Sequence, residues 1–206
     1  MKKLGIYVHI PFCEKKCHYC DFTSITGNNE IIRNYVNALV KEIRLYKVHS
    51  TDYLVDTVFI GGGTPSAIDE YYIRDILDEI RNYFILEENC EISIEVNPGT
   101  IDKKKILSYK DAGVNRTSMG IQSMKANELA LLGRIHNPED VTKSIQIVKE
   151  AGINNINGDL MFGLPHQNID SFIESLNEVI QLNLTHISMY GLIIEEGTLM
   201  NYWYKK

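Results

Sequence analysis

The 206-residue sequence predicts an α/β fold built from six strand–helix units with parallel strands. Three observations carry this. Short β-branched, apolar runs recur along the chain, and most are followed by a longer segment with helical apolar spacing. The joints hold Asn, Asp, Gly and Pro where helices begin and end. Two joints, DAGVN (111–115) and EAGIN (150–154), echo each other as a weak internal repeat of one βα unit. Such alternation implies parallel strands joined by right-handed crossovers. Six units suit a partial (β/α)6 barrel or a doubly wound sheet, and periodicity does not separate the two.

The elements follow in order. GIYVHI (5–10) is the first strand. Asn28 and Asn29 precede a helix whose apolar positions are Ile32, Val36, Leu39, Val40, Ile43 and Tyr46. DTVFI (56–60) is a second strand of the doubly buried kind. A helix over 69–84 follows, with Ile73, Ile76, Leu77, Ile80 and Phe84 on one side. EISIEV (91–96) is the third strand, with Cys90 at its start as a buried structural thiol. Asp102 can cap the next helix and Gly113 can end it. Residues 115–121 form the fourth strand. Asn137-Pro138-Glu139-Asp140 is a helix start: a cap, a first-turn proline, then acids at the positive dipole end. That helix stops at Gly152, and GINNING (152–158) holds the fifth strand, polar for its position. Residues 169–182 form a helix through Phe172, Ile173, Leu176, Val179 and Ile180; THISMYGL (185–192) is the sixth strand. An open six-strand barrel leaves edges that need covering, by a C-terminal region, a partner subunit or the closing segment Glu195–Lys206.

Composition narrows the function. Net charge is −6 with no long run of one sign, which speaks against a nucleic-acid surface or a polybasic membrane patch. No apolar stretch approaches a membrane span of ~20 residues. The start MKKLGIYVHI has no small-residue cleavage site, so it is not read as a signal peptide. The expected compartment is the cytoplasm, where clustered cysteines point to metal or redox chemistry rather than structural disulfides.

Cys13, Cys17 and Cys20 are such a cluster, in the loop after the first strand. Loops at the carboxyl ends of parallel strands carry the chemistry of these folds. Structural zinc wants four ligands, so His18, His9, Asp21 or Cys90 would have to join. Cys17 and Cys20 also make a C-x-x-C redox pair. An iron–sulfur cluster held by three thiolates would leave one iron open to an outside ligand. Spacing alone leaves all three readings standing.

The stretch YVHIPFCEKKCHYCDF (7–22) resembles the signature of radical S-adenosyl-L-methionine (SAM) proteins. The resemblance continues in order through FIGGGTPS, SIEVNPG, SMGIQSM, LLGRIHN, GDLMFGLP and SMYGLIIEEGT. Together these are similar to the oxygen-independent coproporphyrinogen III oxidase family (HemN/HemW), and within it to the heme-chaperone branch. The resemblance implies a partial (β/α)6 TIM-like barrel in which Cys13, Cys17 and Cys20 hold a [4Fe-4S] cluster. SAM chelates the fourth iron, and an electron cleaves its sulfonium to a 5′-deoxyadenosyl radical. It also implies that residues 1–206 are one radical SAM core domain, with the family's C-terminal region beyond it.

The other motifs supply SAM contacts on this reading. Gly62, Gly63 and Thr64 follow the second strand, and the resemblance sets them beside the methionine portion of SAM. Glu95, Gln122 and Asp159 sit at or near the ends of strands three to five, facing the barrel mouth. They suit the ammonium and ribose hydroxyls of SAM. Arg134 suits its carboxylate as a bidentate charged donor. Tyr7, Tyr19 and Gly191 match further positions near SAM, with Tyr19 shielding the cluster or packing near adenine. No catalytic residue is assigned, and none of His9, His18, His136 and His166 is assigned as a ligand. Gly158 replaces an apolar residue of the family motif, which predicts a looser fifth strand and a less fixed Asp159.

The family's oxidases carry C-x3-C-x2-C-x-C, whereas Phe22 occupies the last position here. That departure, with the LLGRIH and DLMFGLP phrases, favours a chaperone that binds SAM and heme and delivers heme to respiratory hemoproteins, acting peripherally at the membrane. The alternative is the oxidase, decarboxylating coproporphyrinogen III to protoporphyrinogen IX. A zinc or redox module is the third reading.

Overall fold

A computed structural model describes residues 1–204 of the chain. Six strands form one parallel sheet: β1 (Lys2–Ile10), β2 (Tyr53–Gly62), β3 (Ile85–Val96), β4 (Arg116–Gln122), β5 (Asn155–Phe162) and β6 (His186–Gly191). Their spatial order is β1-β2-β3-β4-β5-β6. A doubly wound sheet reverses its order at a switch point. Winding one way in chain order is the barrel arrangement, so the fold is the partial barrel. Among the described residues β1 and β6 pair on one side only.

The helices between strands are α1 (Asn29–Leu45), α2 (Glu70–Tyr83), α3 (Lys103–Asp111), α4 (Ala126–Leu132), α5 (Pro138–Glu150) and α6 (Ile169–Gln181), with α7 (Leu199–Tyr204) after the last strand. The expected caps form. Asp102 accepts from the Lys105 amide at 2.7 Å, and Asn137 and Asp140 make a reciprocal capping box. A cap is worth about 1 kcal/mol. Gly113 and Gly152 lie just past their helices at φ 92° and 83°, where a side chain would be strained. α2 buries Ile73, Ile76, Leu77 and Ile80 completely. Burying each such side chain stabilises the fold by about 1.5–3 kcal/mol.

Each strand alternates between two environments. In β3, Ile92, Ile94 and Val96 pack in the core under the helices, while Ser93 and Glu95 take the other face. In β5, Ile156 and Leu160 enter the core while Asn157 and Asp159 turn inward. The inner face is polar: Asn157 donates to Ser118 Oγ at 2.8 Å and to Asp159 Oδ1 at 2.7 Å, and Ser188 donates to Asn157 Oδ1 at 3.0 Å.

Three expectations need correction. The fifth strand is Asn155–Phe162 rather than 152–158; its polar residues Asn157 and Asp159 line the barrel interior, and the strand runs on through the apolar Leu160, Met161 and Phe162. β3 begins at Ile85, six positions before the expected start, and its pairing with β2 slips between Val55 and Thr57; Cys90 is therefore inside the strand, and is buried. Gly158 is a tight position rather than a loose one: a Cβ there would come within 2.7 Å of Leu184 Cδ1 and 2.8 Å of Ile121 Cδ1. Of the segment Glu195–Lys206, Lys205 and Lys206 lie outside the described residues; the rest crosses toward the cysteine loop rather than lying along β6, where Met189 and Tyr190 stay exposed.

Candidate functional site

The carboxyl ends of all six strands feed one rim, and the cysteine loop is built onto it from both sides. β1 and β2 pair to Ile10 and Gly62, and the ladder then continues into the loops. The Gly63 amide donates to Ile10 O at 2.8 Å and the Thr64 amide to Phe12 O at 2.7 Å. The Cys13 amide donates to Ile25 O at 2.9 Å, joining the two legs of the loop. Phe12 anchors that base: it is fully buried, edge-on to Tyr35 with centroids 5.4 Å apart. Gly63 has to be glycine, since a Cβ would sit 2.8 Å from Phe12 O and 3.0 Å from Cys13 Sγ. Gly62 adopts φ 120°, a conformation that favours glycine.

The far half of the loop is held by the opposite wall. The His18 amide donates to Leu132 O at 2.9 Å, and His18 Nδ1 donates to Leu131 O at 3.0 Å. Gly133, which ends α4 at φ 74°, leaves room for the His18 ring, 2.7 Å from where its Cβ would be. From above, the Met200 amide of α7 donates to His18 O at 2.9 Å.

Between these walls lies a cavity of about 500 Å³. Cys13, Cys17 and Cys20 line it together with Tyr19, Gly62, Gly63, Thr64, Glu95, Gln122, Arg134, Asp159 and Gly191. Every residue expected from sequence is thus brought to one space except Tyr7. Tyr7 borders an adjoining cavity of about 380 Å³ with His9, Asp21, Phe22, Thr23, Gly62 and Glu95. There Tyr7 donates to His9 Nδ1 at 3.0 Å, and His9 Nε2 donates to Thr23 O at 3.0 Å, so His9 is an ordinary hydrogen-bonded residue. His18 and His136 are likewise bonded to backbone carbonyls.

The donor set fits a thiolate-bound cluster with a polar guest. Among the described residues no three His, Cys, Asp or Glu side chains converge on a single metal ion. The three thiols share a cavity wall rather than a point, and two have hydrogen-bond donors aimed at them. Thr64 Oγ1 is 3.5 Å from Cys13 Sγ, and Arg134 Nη1 is 3.5 Å from Cys17 Sγ. Burial raises the Cys20 pKa, and the nearby Cys17 and Cys13 add to this; metal binding would instead hold these thiols as thiolates. Tyr19 is held well above its usual range by burial, and it packs against the apolar group of Leu132, Met161, Leu164 and Met200. Of that group, Met161 lines the cavity with Tyr19 and the cysteines.

Two carboxylates face the cavity. Burial raises the pKa of Glu95, with Asp159 adding to it and the Gly62 amide, 3.0 Å from Oε2, opposing. Burial also raises Asp159, against hydrogen bonds from Asn157 at 2.7 Å and Ser118 at 3.3 Å. Those bonds fix the orientation that Gly158 had put in question. Gln122 ends β4 with φ 68°, a left-handed conformation costing about 1–2 kcal/mol for a side-chain-bearing residue. The buried His136 holds the preceding carbonyl, Ile121 O, at 3.1 Å.

Sequence reasoning did not single out Asn97, Ser118, Met161, Tyr190 and Ile193, which also line the cavity. Asn97 and Ser118 lie inside SIEVNPG and SMGIQSM, so the motifs contained them, but only the folded chain gives them neighbours. Arg134 also differs from expectation. Both hydrogens of its Nη2 are engaged, by Asn97 Oδ1 and Gly120 O, each at 2.6 Å, so an incoming carboxylate meets Nη1 rather than an open two-nitrogen fork.

Known proteins resemble this chain in sequence and in fold. Heme chaperone HemW of Haemophilus influenzae is 38% identical over 204 residues, covering 97% of this chain and 53% of that protein. HemW of Escherichia coli is 39% identical over 197 residues, 95% of this chain and 52% of its own. The chain therefore spans about half the length of the curated relatives it matches. Among solved structures, coproporphyrinogen III oxidase (HemN) from Escherichia coli, described as a Radical SAM enzyme, has a TM-score of 0.87 at 31% identity, over 93% of this chain and 44% of that one. SuiB of Streptococcus suis bound to S-adenosylmethionine shares the fold alone, with TM-score 0.66 at 18% identity over 96% of this chain and 43% of its own. The profile of the Radical SAM superfamily matches residues 7–179, from Tyr7 in β1 through the cysteine loop to Val179 in α6, and the chain belongs to that superfamily.

Proposed function

We propose that residues 1–206 act as the cluster- and SAM-binding core of a HemW-like heme chaperone. One observation carries the cofactor reading: the three thiols and the expected SAM contacts other than Tyr7 line a single cavity at the carboxyl ends of the strands. When bound, a [4Fe-4S] cluster with SAM on its open iron supplies one-electron chemistry. Cys13, Cys17 and Cys20 would hold three of the irons. Gly62, Gly63 and Thr64 leave backbone room along the amino-acid end of SAM. Glu95 and Asp159 offer acceptors to its ammonium and hydroxyl groups, and Gln122 an amide. Arg134 Nη1 offers a charged donor to its carboxylate. Tyr19 and its apolar neighbours keep water from one flank.

The chaperone reading rests on likeness to HemW at 38–39% identity and on Phe22. Phe22 stands where the oxidase pattern has a further cysteine, and it is exposed beside the smaller cavity. On this reading the protein works in the cytoplasm and hands heme to respiratory hemoproteins at the membrane. Among the described residues no helix is long and apolar enough to cross a membrane.

Anaerobic reconstitution tests the first half: about four irons and matching sulfide are expected per chain, with iron falling severalfold in Cys17→Ala. Zinc uptake in place of iron would overturn it. Heme titration tests the second half. Stoichiometric heme uptake and transfer to an apo-hemoprotein in membrane vesicles, without decarboxylation of coproporphyrinogen III, is the expected result. Decarboxylation without heme uptake would favour the oxidase, which the HemN structural likeness keeps as the competing outcome.

A further inference from the structure

Two of the three cluster thiols receive a hydrogen bond from a residue on another loop, and both donors meet at one amide. Asn97 follows β3 directly. Its Oδ1 accepts from Arg134 Nη2 at 2.6 Å, and its Nδ2 donates to Thr64 Oγ1 at 3.0 Å. Arg134 then donates to Cys17 Sγ, and the Thr64 hydroxyl to Cys13 Sγ, each at 3.5 Å. The chain of contacts runs Cys17–Arg134–Asn97–Thr64–Cys13 and ties the cysteine loop to three other loops.

The direction of each bond is fixed by chemistry. Arg134 can only donate, so the carbonyl side of the amide must face it and the NH2 side must face Thr64. An incoming N–H occupies a lone pair of the Thr64 oxygen, and its own proton is left to point at the Cys13 sulfur. The backbone that carries this amide is itself held in place. The Asn97 backbone donates to Ser66 Oγ at 3.2 Å and accepts from the Thr100 amide and hydroxyl at 3.1 and 2.7 Å. Ser66 and Thr100 are both buried and bonded to each other at 2.6 Å. Gly120, whose Cβ would fall 2.8 Å from Asn97 Oδ1 and 3.0 Å from Arg134 Nη2, leaves the space this junction needs.

We infer that Asn97 is a positioning residue that sets the hydrogen bonds received by the Cys13 and Cys17 sulfurs, and through them the reduction potential of the cluster those sulfurs hold. The inference rests on the cluster reading above. Donors to thiolate sulfur stabilise the more negative, reduced cluster, so losing them lowers the potential. Asn97→Asp is the discriminating change, because it keeps the shape and the Arg134 contact but has only acceptors. The Thr64 hydroxyl would then turn toward residue 97 and away from Cys13.

The experiment measures midpoint potential by EPR-monitored redox titration of anaerobically reconstituted protein, with iron and sulfide determined first. Asn97→Asp and Thr64→Val are both expected to shift the potential negative at wild-type iron content, while Thr64→Ser, which keeps the hydroxyl, stays at the wild-type value. The added charge of Asp is separated by the double variant: in the Thr64→Val background, Asn97→Asp is expected to shift the potential by clearly less than it does alone. An undiminished shift there, or a wild-type potential in loaded Asn97→Asp, would overturn the relay. If Asn97→Asp does not load, the Thr64 pair decides: equal potentials for Val and Ser overturn it, and a negative shift confined to Val upholds it. A wild-type chain that takes up no iron overturns the cluster reading and this inference with it.

Discussion

His18 and Trp203 meet edge to face, with ring centroids 4.9 Å apart. His18 belongs to the cysteine loop and Trp203 to α7, the last helix described, so the contact ties the segment after β6 to the cysteine loop. An aromatic pair of this kind is worth about 0.5–1.5 kcal/mol beyond its buried area. Trp203→Ala is therefore expected to loosen the loop without unfolding the sheet: hydrogen exchange should speed at the His18 and Cys20 amides, which donate to Leu132 O and Cys17 O, while the β2 and β3 amides keep their protection. Trp203 is also the single tryptophan in the chain, so its emission should change when the cysteine loop takes up iron. Emission indifferent to iron would separate the two events.

Gly63→Ala should damage the site more than the fold. Its new Cβ would press on Phe12 O and Cys13 Sγ, one of them backbone that cannot step aside. The expected result is a severalfold drop in reconstituted iron with the far-ultraviolet circular dichroism of the wild type.

Gly158→Ala should do the reverse. The methyl would be driven into Leu184 and Ile121 under the sheet, and overpacking of this kind costs about 1–3 kcal/mol. Chemical denaturation should show that loss with iron binding preserved, because Asp159 is held by Asn157 and Ser118 rather than by the packing beneath it.

Much of this was legible in the sequence, for physical reasons that also explain what was not. The cysteine spacing, the glycine turn and the helix caps are local: each is read from residues within a few positions of one another. Strand order is not local, which is why periodicity left barrel and doubly wound sheet unresolved. The polarity of Asn157 made GINNING an unusual strand and left its bounds early, because a barrel interior inverts the usual meaning of a polar strand residue. The seven residues of α4 escaped notice because Lys125, at its start, makes no capping bond. Asn97 stood in plain view within SIEVNPG, but its role exists only where Thr64 and Arg134 arrive from elsewhere in the chain.

His136 gives the fold an acid limb. Burial, with Arg134 adding, depresses its pKa to about 4, and its Nδ1 has no hydrogen-bond partner among the described residues. Unfolded histidine titrates near 6.5. Between those values the unfolded chain binds the extra proton, so stability falls as pH drops from about 6.5 to about 4 and is unaffected by this group above that window. The full effect is on the order of 3 kcal/mol. Glu95 and Asp159, whose pKa values are raised, bind protons more readily when folded and act in the opposite sense. Comparing wild type with His136→Gln isolates the histidine: denaturation midpoints measured across pH 4–7 should show a shallower acid decline in the variant.

SAM affinity should weaken in acid through Glu95. The carboxylate is held above its ordinary range by burial and by the neighbouring Asp159, and among the described residues its one donor is the Gly62 amide. An ammonium or hydroxyl arriving in the cavity would stabilise the ionised form, so binding and deprotonation favour each other. Affinity is then full above the raised pKa of the free site and declines as pH falls through it, earlier than an exposed glutamate would allow. Equilibrium titration of the iron-loaded protein with SAM from pH 4.5 to 8 should show this decline. Glu95→Gln should bind severalfold more weakly at pH 8 and lose most of the slope, because the amide keeps the shape but neither titrates nor offers the charge. A variant that binds as tightly as wild type at pH 8 and retains the slope would move the carboxylate out of the SAM site and leave Asp159 as the group to test.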